Sequence, residues 1–172
     1  MTDETALQQA LGQLAATPSA LAHLTVETME SVLDIAPEGE WSGRVVLAHF
    51  RDAEVLEFRL GLERLLAEEN PALFFLPPDE WEQKRNRERD QKGVLLGDFA
   101  LQRQASLNLI ASVQTNDWER QGAGPGGTLF TIAQLVQVWA EHDAAHLSQL
   151  EVLLSDTVTS AQGRRARSPE GP

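Results

Sequence analysis

The sequence predicts an all-α fold, a four-helix bundle whose second and third helices are joined by a long crossover. Apolar residues recur at three- and four-residue intervals through four long stretches, while period-2 alternation is scarce and no Asn-Gly hairpin signal occurs. A single long connection, Asn70 to Lys92, separates the second stretch from the third. Four amphipathic helices with one such connection make a helical bundle with a crossover. No internal repeat or second domain is visible, so residues 1–155 read as one domain and residues 156–172 as a polar, disordered tail of small net positive charge.

The elements follow in order. Leu7, Leu11 and Leu14 open the first helical region, and Thr17-Pro18 places an N-cap residue before a proline, which predicts a helix start there. Leu21, Leu24 or Thr25, Thr28, Val32 and Ile35 continue the face to the breaker cluster at Ala36–Gly39. Ser42 caps the second helix and Trp41 is placed to staple its first turn. From Gly43 to about Glu69, at about 100° per residue, Val45, Val46, His49, Ala53, Leu56 and Leu60 share one face and Leu47, Phe58 and Leu65 the opposite one. A helix apolar on two sides needs two partners, either the crossover or a second copy. The crossover carries Pro71, Pro77 and Pro78 with Phe74, Phe75 and Trp81, which predicts a packed segment with a short helix beginning at Asp79. The third helix runs from about Gly93 to Gln114 with Leu96, Phe99, Arg103, Leu107, Ile110 and Val113 on its stripe. After the glycine-rich loop Gly122–Gly127, the fourth starts near Thr128 or Thr131 and ends about Leu154, with Leu135, Val138, Trp139, His142, His146, Leu150 and Leu153 periodic.

Composition bounds the function. The 172 residues include 26 acids against 14 bases, a formal charge of −12, with 42% hydrophobic content, enough for a real core. That charge argues against binding nucleic acid, which needs Lys and Arg to release counterions, and against an anionic membrane surface. There is no cysteine, so disulfides, thiolate ligands and a protein-borne thiol nucleophile are excluded, and a soft-metal site must use histidine and carboxylate. No signal-type apolar run follows Met1 and no stretch approaches the roughly 20 apolar residues of a membrane span, so a cytoplasmic protein is expected.

Three of the four histidines stand where the helical period asks for an apolar side chain. His142 and His146 are one turn apart on the fourth helix, and His49 sits mid-stripe on the second, so two stripes that meet in a bundle core bring three imidazoles together. Such a set binds one divalent ion and leaves a position open, which is the pattern of a catalytic site. The ion would lower the pKa of bound water or of an incoming thiol. Three unpaired core imidazoles are the bland alternative, at a cost in desolvation. His23 has no partner by spacing and is assigned to the surface. Arg103 reads either as an anchor for an anionic substrate group or as a structural ion pair. Asp52, one turn after His49, and Asp143, next to His142, are candidate helpers that orient a ligand imidazole or act as a base, although Asp143, as the neighbour of a core-facing residue, points away from that face. Trp139, one turn before His142, is placed to wall the substrate pocket, and Trp41, Trp81 and Trp118 read as core packing.

Trp41, His49, Asp52 and Glu54, then Trp81, Phe99, Arg103, Trp118, Gly127-Thr128-Leu129 and the run His142 to Gln149 resemble the DinB-like (DinB/YfiT-like) family of metalloenzymes, damage-inducible four-helix bundle proteins. The resemblance covers roughly Ala6 to Leu154. It implies an up-down-down-up bundle, a homodimer, and a divalent metal such as zinc, nickel or iron held at His49, His142 and His146. It also implies transfer of a low-molecular-weight thiol such as bacillithiol to a small electrophile, or hydrolysis of a small substrate. The competing reading is non-catalytic, a stress-induced metal-binding scaffold dimer with a saturated metal.

Overall fold

The computed structural model describes residues 4–165, with side chains to Ser155. Helix α1 spans Glu4–Thr25, a short α2 Glu30–Leu33, and α3 Gly43–Ala53. A π-helical stretch, Glu54–Arg59, leads without a break into α4, Leu60–Ala67. The crossover holds α5, Pro78–Lys84, before α6, Lys92–Ala111. Strands β1, Gln121–Ala123, and β2, Leu129–Thr131, pair antiparallel ahead of α7, Ile132–Arg165. The four rods of the bundle are α1, α3 with α4, α6, and α7.

Side-chain pairs fix the directions of these rods. Phe50 packs on Phe99 and, one turn on along both rods, Glu54 meets Arg103, so the second rod and α6 run parallel. His49 meets His142 whereas Gly61 abuts Leu135, so the second rod is antiparallel to α7. Lys92 reaches the Thr25 carbonyl and Arg103 the Leu14 carbonyl, so α6 is antiparallel to α1. The topology is therefore up-down-down-up, and the parallel middle pair is what requires the long crossover.

Several expected details are corrected. Thr17-Pro18 lies inside α1 instead of starting a helix. Pro18 cannot donate to the carbonyl four residues back. That carbonyl, of Leu14, accepts from Arg103 Nη1 at 2.8 Å, which satisfies the group the proline orphans. The expected first region is also broken after Thr25, with α2 a separate turn.

The π-helical stretch is the second correction. One extra residue per π turn rotates everything beyond it by about 100°. Leu56 and Leu60, expected on the His49 stripe, are consequently 45% and 43% exposed, while Phe58, Leu62 and Leu65 turn inward and are buried. Much of the two-sided apolarity that suggested a second partner is thus one face read through a phase shift.

A small hairpin appears where no strand was expected. Its strands are three residues long, too short for period 2 to register. Gly126 and Gly127 adopt φ of 70° and 80° in the connecting turn. Gly122 is required because a Cβ there would stand 2.8 Å from the Pro71 carbonyl. Ala123 N donates to that carbonyl and Leu73 N donates to Ala123 O, so the hairpin pins the start of the crossover. Thr131 and Gln134 then form a reciprocal capping box, at 2.9 and 3.1 Å, that starts α7. Helix α7 continues past the expected end at Leu154 to Arg165, because no proline interrupts its backbone ladder before Pro169. The rest of the expected disordered tail, residues 166–172, lies outside the described residues.

The interior has two apolar clusters. One gathers Leu14, Phe58, Leu62, Leu65, Leu135 and Trp139, the other Leu21, Leu33, Val46, Phe50, Phe99 and Leu150. Along each rod a polar residue separates them: Thr17 on α1, Glu54 on the second rod, Arg103 on α6 and Asp143 on α7, each 2% exposed or less. His49 and His142 stand at this level. Among the described residues no helix is long and apolar enough to cross a membrane.

Candidate metal centre

Ser42 accepts from Val45 N at 3.4 Å and sets the start of α3, which aims His49 inward, 4% exposed. His142 and His146 come from successive turns of α7 onto the same spot. His49 Nε2 and His142 Nε2 stand 3.0 Å apart, and one ring nitrogen from each of the three histidines lies within 4.8 Å of the others. Aromatic rings wall the cluster. Trp41 and Trp81 lie 5.0 and 4.9 Å from the His49 ring, Phe58 lies 5.0 Å from His142, and Trp41 stacks on His146 at 6.1 Å.

Burial in this apolar surround, with His142 and His146 beside it, pushes His49 down to about 3. Burial, and then His142, lowers His146 as well. Neutral imidazoles are the form that binds a metal. A tetrahedral ion with Zn–N bonds of about 2.05 Å would set neighbouring nitrogens about 3.3 Å apart, near the separation of His49 and His142. The donor set fits a divalent ion. Both Nδ1 atoms of His49 and His142 are buried without a hydrogen bond, so either can carry the proton that leaves Nε2 free.

The depressed His49 value has a consequence for metal-free protein. Between pH 6.5 and about 3 the unfolded chain binds a proton at this position that the fold excludes, so stability is complete above 6.5 and falls as pH drops. The slope is about 1.4 kcal/mol per pH unit for one such proton. Glu57, which burial pushes up, acts in the opposite sense, so the comparison must be with a variant. Urea midpoints of chelator-treated wild type and His49→Gln, measured at several pH values from 4 to 7, are expected to diverge, with the variant flatter.

Gln149 is a functional residue that sequence reasoning missed. Its Oε1 accepts from His146 Nδ1 at 2.8 Å, which leaves Nε2 as the ligand atom and fixes the ring. The signal was present as a polar residue one turn after a site histidine. Gln149→Leu is expected to weaken metal affinity by about 10–100-fold in a chelator competition, with the fold retained.

The other expected site residues lie elsewhere. Arg103 is 1% exposed and spends its donors on Glu54 Oε2 from Nε at 3.0 Å and Nη2 at 2.8 Å, on Asp143 Oδ2 at 2.6 Å and on Leu14 O. It is a structural ion pair and has no donor face toward a substrate. Burial opposes its charge, yet Asp143 and Glu54 hold its pKa above the ordinary value. Burial likewise pushes the Asp143 carboxyl up, and His142 and Arg103 more than offset it, holding it down. Asp143 Oδ1 stands 3.6 Å from His142 Nδ1.

Trp139, expected to wall the pocket, is 1% exposed and stacks on Phe58 at 5.1 Å, with its indole N–H 3.2 Å from Glu54 Oε2. It supports the site from one layer behind, and the walls are Trp41 and Trp81, which the sequence assigned to core packing. Asp52 touches no imidazole. It accepts from Arg51 Nε at 2.7 Å and Trp81 Nε1 at 3.0 Å, so it acts on His49 only through the Trp81 ring. His23 is exposed, as expected.

Among curated proteins no significant sequence match is found. The chain superposes on the solved structure of YfiT from Bacillus subtilis, described as a probable metal-dependent hydrolase with an unusual four-helix bundle topology. The TM-score is 0.80 at 17% identity, over 89% of this chain and 88% of that one. The family model described as the DinB superfamily matches residues 13–150. With that match over most of its length, and with the bundle and histidine cluster above, the chain belongs to the DinB superfamily.

Proposed function

We propose that this chain is a divalent-metal-dependent enzyme that acts on a small molecule, most directly as a hydrolase. The observation that carries this reading is the convergence of three imidazoles from two helices, without any carboxylate among them, inside an aromatic wall. The likeness to YfiT, described as a probable metal-dependent hydrolase, agrees with it. A divalent ion bound there supplies Lewis acidity, bringing the pKa of a coordinated water or thiol toward neutrality. The chain's own residues hold and shield. Gln149 fixes His146, and Asp52 fixes Trp81 against His49. The rings shield His49 from bulk water and leave His142 and His146 partly exposed on the side from which a small molecule can approach.

Thiol transfer is the second reading: the chain has no cysteine, so sulfur chemistry at this site would use an external low-molecular-weight thiol such as bacillithiol. The test is a panel of small esters, amides and electrophiles given to protein loaded with zinc, nickel or iron(II), with and without added thiol. Turnover without thiol supports the hydrolase, and strict thiol dependence supports the transferase. Inactivity of fully loaded protein in both arms would leave the non-catalytic scaffold.

A further inference from the structure

An imidazole that ligates through Nε2 must carry its proton on Nδ1. Gln149 settles this for His146. His49 Nε2 and His142 Nε2 instead face each other at 3.0 Å, so between two neutral rings one Nε2 carries a proton and the other accepts it. Both Nδ1 atoms are buried without a hydrogen bond, and which ring donates depends on what stands beside them.

Beside His142 stands a charge. Asp143 Oδ1 lies 3.6 Å from His142 Nδ1, longer than a hydrogen bond, yet near enough for a full charge in a buried setting to act on an N–H dipole. Asp143 is 2% exposed, and its other oxygen is held from two other rods. Arg103 Nη1 on α6 donates to Oδ2 at 2.6 Å, and Thr17 Oγ1 on α1 donates to it at 2.8 Å. With Oδ2 tied, Oδ1 is the oxygen left for His142. Sequence spacing turns Asp143 away from the histidine face, and its partners on α1 and α6 are what orient it. His49 is served differently, since Asp52 is taken up by Arg51 and Trp81, and Glu54 bonds Arg103 and Trp139.

We propose that Asp143 is a positioning residue of the metal centre: it keeps the His142 proton on Nδ1 and so presents Nε2 as a ligand, and Arg103 and Thr17 hold it in place to do so. In metal-free protein His49 is then the donor across the 3.0 Å contact. Only His49 has to move its proton, from Nε2 to its own unpartnered Nδ1, to become a ligand. The inference rests on the metal reading given above, but its first test needs no metal.

Long-range proton–nitrogen correlation NMR of the metal-free full chain at about pH 8, above the ordinary histidine pKa, reads the tautomer of each ring. Wild type is expected to show His142 as the Nδ1–H form and His49 as the Nε2–H form. Asp143→Asn is expected to reverse both. Its amide oxygen must face Arg103, which only donates, so the amide NH2 points at His142 Nδ1 and draws the proton to Nε2. The variant leaves Arg103 balanced by Glu54, so the fold is expected to hold. Its zinc affinity in a chelator competition is expected to fall about 10–100-fold. Glu54→Gln removes the same charge from the same layer at a residue bonded to Arg103 and Trp139, and is expected to keep the His142 tautomer and the wild-type zinc affinity. An Nε2–H form of His142 in wild type would overturn the proposal, as would equal zinc losses in Asp143→Asn and Glu54→Gln, the mark of a general effect on the fold. Wild type that binds no zinc would overturn the metal reading and with it the purpose assigned to Asp143, whereas zinc binding with the wrong tautomer would overturn the role of Asp143 alone.

Discussion

Arg103→Met is expected to lower the unfolding free energy by about 3–5 kcal/mol, because it strands two carboxylates in the core. Glu54 and Asp143 are 1% and 2% exposed, and Arg103 is the cation that both of them contact. The substitution also orphans the Leu14 carbonyl that Pro18 cannot serve, a further buried acceptor without a partner. For a chain of this length the thermal midpoint should drop by about 6–20 °C. Arg103→Lys should recover only part, since one ammonium cannot serve Glu54, Asp143 and Leu14 with the geometry of a guanidinium. Adding Glu54→Gln to Arg103→Met should restore part of the loss by removing one uncompensated charge. Urea denaturation of the three variants measures this, and a cost below about 1 kcal/mol for the single methionine variant would show that the layer is hydrated and not a dry ion network.

Metal content in His142→Ala is expected to fall from near-stoichiometric to background, and in His49→Ala likewise. Each contributes one of three ring nitrogens that lie within 4.8 Å of one another, and two imidazoles alone lose the chelate. His23→Ala, at an exposed position away from the cluster, should keep its metal. Elemental analysis of untagged proteins expressed side by side decides this. Wild type that takes up none of zinc, nickel or iron would leave three core imidazoles with no metal role.

The histidine cluster was legible because it breaks a periodic pattern. His49, His142 and His146 each occupy a position where the 3.6 period calls for an apolar side chain, and two such stripes can meet only in the bundle core. Gln149 lay in the same run, but whether a glutamine one turn away bonds an imidazole depends on rotamers that sequence does not state. Arg103 was legible as a conflict with its stripe and illegible as to which side of the conflict held, since an ion pair and a substrate anchor have the same one-dimensional signature. The burial of Glu54 and Asp143 beside it resolves that. Asp52 fails for a different reason: one turn after His49 it shares a face with it, yet Arg51 and Trp81 compete for the carboxylate and hold it.

The sequence by itself determined the four rods of the bundle, the crossover between the second and third, and the three histidines that meet in the core, because apolar periodicity, proline and capping residues act over a few positions. Tertiary structure alone decided the π-helical stretch, whose extra residue per turn leaves no local mark and yet sets which of Leu56, Phe58 and Leu62 enters the core. It also decided that Thr17-Pro18 sits inside a helix. The carbonyl that a proline orphans is tolerable only where a partner from another helix reaches it, and Arg103 stands 89 positions away in the chain.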